Sequence, residues 1–241
     1  SDELLREMPH LPLIGGMALA GRALGSNRLV IDDQVVRSGA VGVLLGEGVD
    51  VDLVVSQGCR PIGHPLTVTK AEGNVVFELG GKPALQRLGE LAEVMPEEER
   101  QQLYRGVQFG LVIDEHKVDF GRGDFLIRSV MGGDPESGAI QVGDTVDVGA
   151  TAQFQMRDAA SADEDLRHLL AGRDADAALL FTCSGRGRGL FSVPDHDATV
   201  LSDRLDGAPV AGMFCAGELG PVGGRNFLHG FTASIALLSH R

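Results

Sequence analysis

The chain has 241 residues, 43% hydrophobic and 23% charged. Those are the proportions of a folded globular protein, with room for one large domain or two small ones. The formal charge of −13, from 34 acids against 21 bases, excludes the positive field that phosphate backbones require and disfavours anionic membrane surfaces. No uncharged apolar run reaches the ~18 residues that cross a bilayer. The first residues, Ser1-Asp2-Glu3-Leu4-Leu5-Arg6, lack the basic and apolar regions of a secretion signal.

In chain order, residues 2–8 read as the end of a helix stopped by Pro9. Residues 11–18 form an apolar strand punctuated by glycine. Further strands are expected over 29–32, 40–45 and 52–56, with turn residues between them. Val75, Phe77 and Leu79 alternate with Val76 and Glu78, a half-buried strand over 74–79. Apolar residues at 84, 85, 88, 91 and 92 have helical spacing, and Pro96 separates that helix from a second over 97–104.

The middle is rich in strands, at 107–114, 125–130, 145–148 and 151–156. Residues 131–143 form a loop or hairpin. Ser161 and Glu164 have the spacing of a capping box that opens a helix to about Gly172. A buried strand over 177–183, a helix over 198–205, a strand over 210–216 and a final strand over 230–238 complete the chain. The strand–helix–strand order within 177–216 predicts parallel neighbours. The fold class is therefore α/β or α+β, with mixed sheets and flanking helices.

Pro12-Leu-Ile-Gly-Gly-Met-Ala-Leu-Ala-Gly21 resembles Pro209-Val-Ala-Gly-Met-Phe-Cys-Ala-Gly217. Each copy is followed by an asparagine, Asn27 and Asn226, and then by a Gly-led apolar segment, 39–45 and 230–238. Two pseudo-repeated halves are expected from this. The first lacks the strand and helix that precede the second, so it is expected to be incomplete. A strand without its neighbour leaves an open sheet edge, and a second copy is one way to cover it.

Four segments carry candidate chemistry. In Phe181-Thr-Cys-Ser-Gly-Arg-Gly-Arg-Gly-Leu-Phe191 a buried strand runs into a Gly-rich turn bearing Arg186 and Arg188. Such a turn suits a carboxylate or phosphate, although it matches neither a P-loop nor a dinucleotide fingerprint. The alternative is a turn of solvated arginines. In Gly212–Gly224, Glu218 sits after a strand between glycines, where it could hold an ammonium or pair with Arg186. In Asn226-Phe-Leu-His-Gly-Phe-Thr232, strand alternation puts His229 and Phe231 on one face. His229 is then either an acid–base group or a hydrogen-bonded structural histidine. Gln57, Cys59, Arg60 and His64 form a polar turn of functional or structural character.

Cys59, Cys183 and Cys215 contain no C-x-x-C pair, which favours free thiols in a reducing, cytoplasmic compartment. Cys183 or Cys215 with His229 could be assembled into a hydrolase, but no nucleophile-elbow pattern surrounds them. The seven histidines show no H-x-H or H-x-x-x-H spacing, so no metal or cofactor is expected.

Taken together these segments resemble the FIST domain family. The resemblance rests on Leu180-Phe-Thr-Cys-Ser-Gly-Arg-Gly187, Pro209–Phe214, Gly217-Glu-Leu-Gly-Pro221 and Asn226–Thr232 for the C-terminal subdomain, placed at 83–241. Leu13–Gly16, Ser56-Gln-Gly-Cys-Arg-Pro-Ile-Gly63, Val68-Thr69 and Gly73-Asn74 resemble the end of the N-terminal subdomain, placed at 1–82. The long first half of that subdomain is absent.

The resemblance implies a non-catalytic sensory domain in signal transduction that binds a small ligand, an amino acid or similar zwitterion. Cys183, Arg186, Glu218, Asn226 and His229 are its candidate binding residues. A signalling protein is the expected macromolecular partner. A protein-interaction module and a cysteine-dependent enzyme are the other readings.

Overall fold

The computed structural model describes residues 11–240 except 20, 22 and 24, with side chains throughout except at 104 and 105. The helix expected over 2–8 lies outside the described residues. Two compact units form. One runs up to Ser56 and resumes at Leu166, and the other comprises Gln57–Asp165. The division expected at 82/83 is a division of sequence. In space the segments on either side of residue 82 share one sheet, because Val75 and Val76 pair with Gln141 and Ile140.

The first unit begins with β1 (Gly15–Gly16), a short hairpin of β2 (Leu29–Ile31) and β3 (Gln34–Val36), and β4 (Val49–Ser56). The strand expected over 11–18 thus shrinks to two residues. Residues 40–45 are not a strand, although their composition favours one. A strand exists only where its backbone finds a pairing partner, and among the described residues this segment has none.

The second unit contains β5 (Cys59–Pro61), β6 (Leu66–Glu72), β7 (Val75–Leu79), β8 (Lys82–Pro83), α1 (Ala84–Glu93), α2 (Glu97–Gly106), β9 (Val107–Val112), β10 (Phe125–Asp134), β11 (Ala139–Val142) and β12 (Thr151–Arg157). Its pairings run β7–β11–β10–β9–β12–β6 and return to β7, all antiparallel. Closure of this kind removes the unsatisfied edges of a sheet. Val68, Val76, Phe109, Ile140, Phe154 and Met156 are buried in its core, with α1 contributing Ala84, Leu88 and Ala92. The segment 131–143 is a hairpin, as one of its two readings had it. Residues 145–148 are not a strand, although Val146 is buried and donates its N–H to Gly73 O.

The polar turn at 57–64 is structural. Gln57 substitutes for a strand backbone: its Nε2 donates to Phe125 O at 2.7 Å and its Oε1 accepts from Ile127 N at 3.1 Å. Cys59 packs with Phe125 and Ile127, Arg60 pairs with Glu99 and Asp158, and His64 is exposed.

Helix α3 (Ala159–Leu170) starts earlier than its expected capping box. Asp158, not Ser161, caps it, accepting from Ser161 N at 2.7 Å and Ser161 Oγ at 2.9 Å. An aspartate wins here because both carboxylate oxygens reach free donors of the first turn.

The rest of the first unit comprises β13 (Ala177–Cys183), a 3-10 turn at Ser184–Arg186, α4 (Arg188–Phe191), α5 (His196–Arg204), β14 (Val210–Cys215), β15 (Glu218–Val222), β16 (Arg225–His229) and β17 (Ala233–His240). Its main sheet has the order β14-β13-β17-β4. β13 and β14 are parallel, as the strand–helix–strand order predicts, and the other pairs are antiparallel. Leu166 and Leu170 of α3 and Val200 and Leu201 of α5 bury one face, against Leu180, Ile235 and Leu237. A second sheet, β1-β15-β16, brings Gly220 against Val55 and Ser234. β15 and β16 are joined by Gly223-Gly224, both at positive φ (58° and 75°), the backbone a tight two-residue hairpin turn demands.

Candidate functional site

The five expected binding residues all lie in the first unit, and four of them fall into two constellations. Both begin where β13 ends. Alternation along β13 sends Thr182 and Cys183 to opposite faces of the sheet, so each face receives one anchor.

On the helical face, Thr182 Oγ1 donates to Asp197 Oδ2 at 2.6 Å. Arg186, only 1% exposed, grips the same carboxylate with two parallel bonds, Nε to Oδ2 at 2.8 Å and Nη2 to Oδ1 at 2.9 Å. Asp197 lies in the first turn of α5, where the helix dipole favours a negative charge. His196 Nδ1 lies 3.2 Å from Asp197 Oδ1, and its ring stacks on Phe191 at 3.6 Å between centroids. The guanidinium also lies over Phe191, 5.4 Å from the ring centroid. Arg186 Nη1 is buried and has no hydrogen-bond partner.

Two opposing forces act on Asp197. Burial pushes its carboxyl up, but the Arg186 guanidinium, by hydrogen bond and by charge, outweighs this together with Thr182 and His196. The group is held below the ordinary carboxylate value.

The second constellation forms on the other face. Cys183 and Cys215 are register partners at the carboxyl ends of the two parallel strands. Glu218, fully buried at the start of β15, lies close enough to the Cys183 thiol to raise its pKa and accepts from Thr232 N at 3.1 Å. His229 is the cross-strand partner of Glu218. Its Nε2 lies 3.0 Å from Gly220 O. A carbonyl only accepts, so Nε2 carries the proton.

Several expectations are corrected by this geometry. Arg186 is not part of a solvated turn and its ion-pair partner is Asp197, not Glu218; Arg188 is the exposed arginine. His229 and Phe231 do not share a strand face. β16 ends at His229, and Phe231 sits in a turn at φ 60°. Asn226 spends its amide on the chain before β1, donating to Leu11 O at 2.7 Å and accepting from Leu13 N at 3.0 Å. Asp197, Thr182, His196 and Phe191 were missed by sequence reasoning. Their only signal is an acid in the first turn of a helix that follows an arginine-bearing turn, and no fixed spacing links the two.

The thiols are poorly suited to catalysis. Burial is the main force raising both, with the Glu218 carboxylate adding to it. The Cys215 thiol is pushed up to about 12. A nucleophilic cysteine needs the thiolate, so Cys183 and Cys215 are expected to alkylate more slowly than a free model thiol at pH 7 until the protein is unfolded. Timed labelling read by mass spectrometry checks this, and faster-than-free labelling at either position would reverse it. Among the described residues no cluster of three or more His, Cys, Asp or Glu could hold a metal ion, and no helix is long and apolar enough to cross a membrane.

Comparison with known proteins adds the family. The FIST N domain model matches residues 1–82 and the FIST C domain model matches residues 84–221. An uncharacterized protein of Mycobacterium tuberculosis is 51% identical over 98% of this chain, which spans 63% of that protein. An uncharacterized protein of Mycobacterium bovis is 52% identical over 96% of the chain, which spans 61% of it. A shorter match, 38% identical over 37% of the chain and 17% of the relative, is to an uncharacterized protein of Methanocaldococcus jannaschii. The chain thus spans less than two thirds of the length of the mycobacterial relatives.

Proposed function

Because the chain belongs to the FIST family, whose domains are sensory modules of signal-transduction proteins, we propose that it is a non-catalytic, cytoplasmic sensor of a small zwitterion such as an amino acid. Arg186, beyond the carboxyl end of β13, takes the ligand's carboxylate through Nη1, and Glu218, beyond that of β14, takes its ammonium past the strand ends, where the two faces meet. Cys183 stands beside Glu218, while His229 and Asn226 position the strands that carry Glu218. The observation that carries this reading is the buried Nη1 of Arg186, a charged donor left over after Asp197 has taken the other two nitrogens. The placement also supports it. Arg186 and Glu218 follow the carboxyl ends of neighbouring parallel strands, the usual location of ligands in such sheets.

A thermal-shift series with the common amino acids tests the proposal. Ligand at ten times its Kd stabilises by ~1.4 kcal/mol, or about 3–6 °C for a chain of this size. Arg186→Lys keeps a cation for Asp197 but lacks the third nitrogen, and is expected to melt as a folded protein with no ligand shift. No shift with any amino acid at millimolar concentration, for the folded wild type, rejects the ligand class.

A further inference from the structure

The main sheet of the first unit begins at β14, which pairs, among the described residues, with β13 alone. Ala178 N donates to Pro209 O, and the direction of the backbone groups alternates along a strand. The odd-numbered residues of β14 therefore turn their N–H and C=O groups to β13, while Val210, Gly212 and Phe214 turn theirs outward. Open edges are normally blunted by charges or bulges. Val210-Ala-Gly-Met-Phe-Cys215 carries no charge, and Met213 and Phe214 are 42% and 45% exposed. Phe214 is the register partner of Thr182, so it points to the face that α5 covers. On that face an open groove of about 400 Å³ runs between α5 and β14, lined by Ala198, Thr199, Ser202, Asp203 and Val210.

We infer that β14 is a two-fold interface between two copies of this chain, the two strands pairing antiparallel with Gly212 opposite Gly212 of the second copy. Three observations select a second copy as the occupant. First, this register joins outward-facing groups only, because it sets Val210 opposite Phe214 and Gly212 opposite itself. Second, it sets large side chains against smaller ones. Met213 meets Ala211 on one face, and on the other Phe214 meets Val210 and enters the groove beside it. Third, the charges match. Arg188 and Asp203 are both exposed, and neither side chain has an ion-pair or hydrogen-bond partner among the described residues. Arg188 stands at the Phe214 end of β14, since a Cβ on the preceding Gly187 would lie 3.9 Å from Phe214 Cε1. Asp203 lines the groove at the Val210 end. Antiparallel pairing brings Arg188 of each copy to Asp203 of the other, and the two-fold axis makes the contact twice.

Sedimentation equilibrium on the whole chain tests the inference. The wild type is expected to show a monomer–dimer equilibrium in the micromolar range. Arg188→Asp and Asp203→Arg each exchange two attractions for two repulsions, and each is expected to raise the dimer Kd ~10-fold or more. The double variant, which swaps the charges, is expected to return to within ~3-fold of the wild-type Kd. Phe214→Lys empties the groove and charges the edge, and is expected to leave a monomer. Both charged positions are exposed, so the reversals are expected to melt like the wild type. A chain that stays monomeric up to millimolar concentration overturns the proposal. So does a dimer that the charge reversals leave unchanged, which would form through another surface. Losses in the single variants without recovery in the double variant overturn it as well.

Discussion

Asp197→Ala is expected to destabilise the first unit by ~3–5 kcal/mol, because removing one partner of a buried ion pair strands the other. Arg186 is 1% exposed and donates two hydrogen bonds to this carboxylate. Thr182 Oγ1 and His196 lose their acceptor in the same step. At ~2–4 °C per kcal/mol the melting point falls by on the order of 10 °C. The double variant Arg186→Met with Asp197→Leu is expected to lose less than Asp197→Ala alone, since matched apolar groups leave no buried charge. The pH dependence follows from the direction of the Asp197 shift. Its folded value is depressed, so its contribution is complete above the ordinary carboxylate range near ~4 and is lost as pH falls through the lower folded value. The stability gap between wild type and Asp197→Asn should therefore be constant near neutrality and close in acid. A loss below ~1 kcal/mol for Asp197→Ala, within the range of an ordinary hydrogen bond, would show that the pair is not a keystone of the fold.

What could be read from the sequence was local. The helix at 84–93 follows from apolar spacing after Pro83, and Pro96 marks the break before the second, at 97–106. The parallel pair β13–β14 follows from a strand, a helix and a strand within 40 residues. What could not be read depends on partners distant in sequence. β6 alternates Leu66 and Val68 with Thr67 and Thr69, a weak pattern that becomes a strand because β7 and β12 lie beside it. The return of β11 to β7, which closes the second unit, leaves no local mark. The site divides in the same way. Arg186 and Glu218 stand out as charges on Gly-rich turns, but which acid each arginine meets is decided by how α5 docks, and that brought Asp197 to Arg186.

Gly185→Ala is expected to cost up to ~3 kcal/mol, at the upper end of overpacking penalties, and to abolish the ligand response. A Cβ at 185 would lie 2.4 Å from Phe231 Cε1 and 2.5 Å from Cδ1. The ring has little freedom to yield. Phe231 stands at φ 60°, a region that costs a non-glycine residue energy and persists only when its surroundings impose it. Those surroundings are specific. The backbone amides of Gly185 and Phe231 act on the Cys183 thiol, drawing its pKa down against burial, and Glu218 accepts from Thr232 N. Any retreat of the ring shifts the backbone beside Cys183 and Glu218, the two groups that define the second constellation. The displacement also reaches Arg186, the next residue, which explains why binding should fail with stability. Phe231→Gly removes the obstruction and suits the positive φ, at the cost of the ring's packing. Combined with Gly185→Ala it should lose clearly less than the sum of the two single variants, by ~1 kcal/mol or more. Strict additivity in chemical denaturation would mean that ring and turn do not constrain each other, and the strained turn would then have no part in holding Arg186 and Glu218 in place.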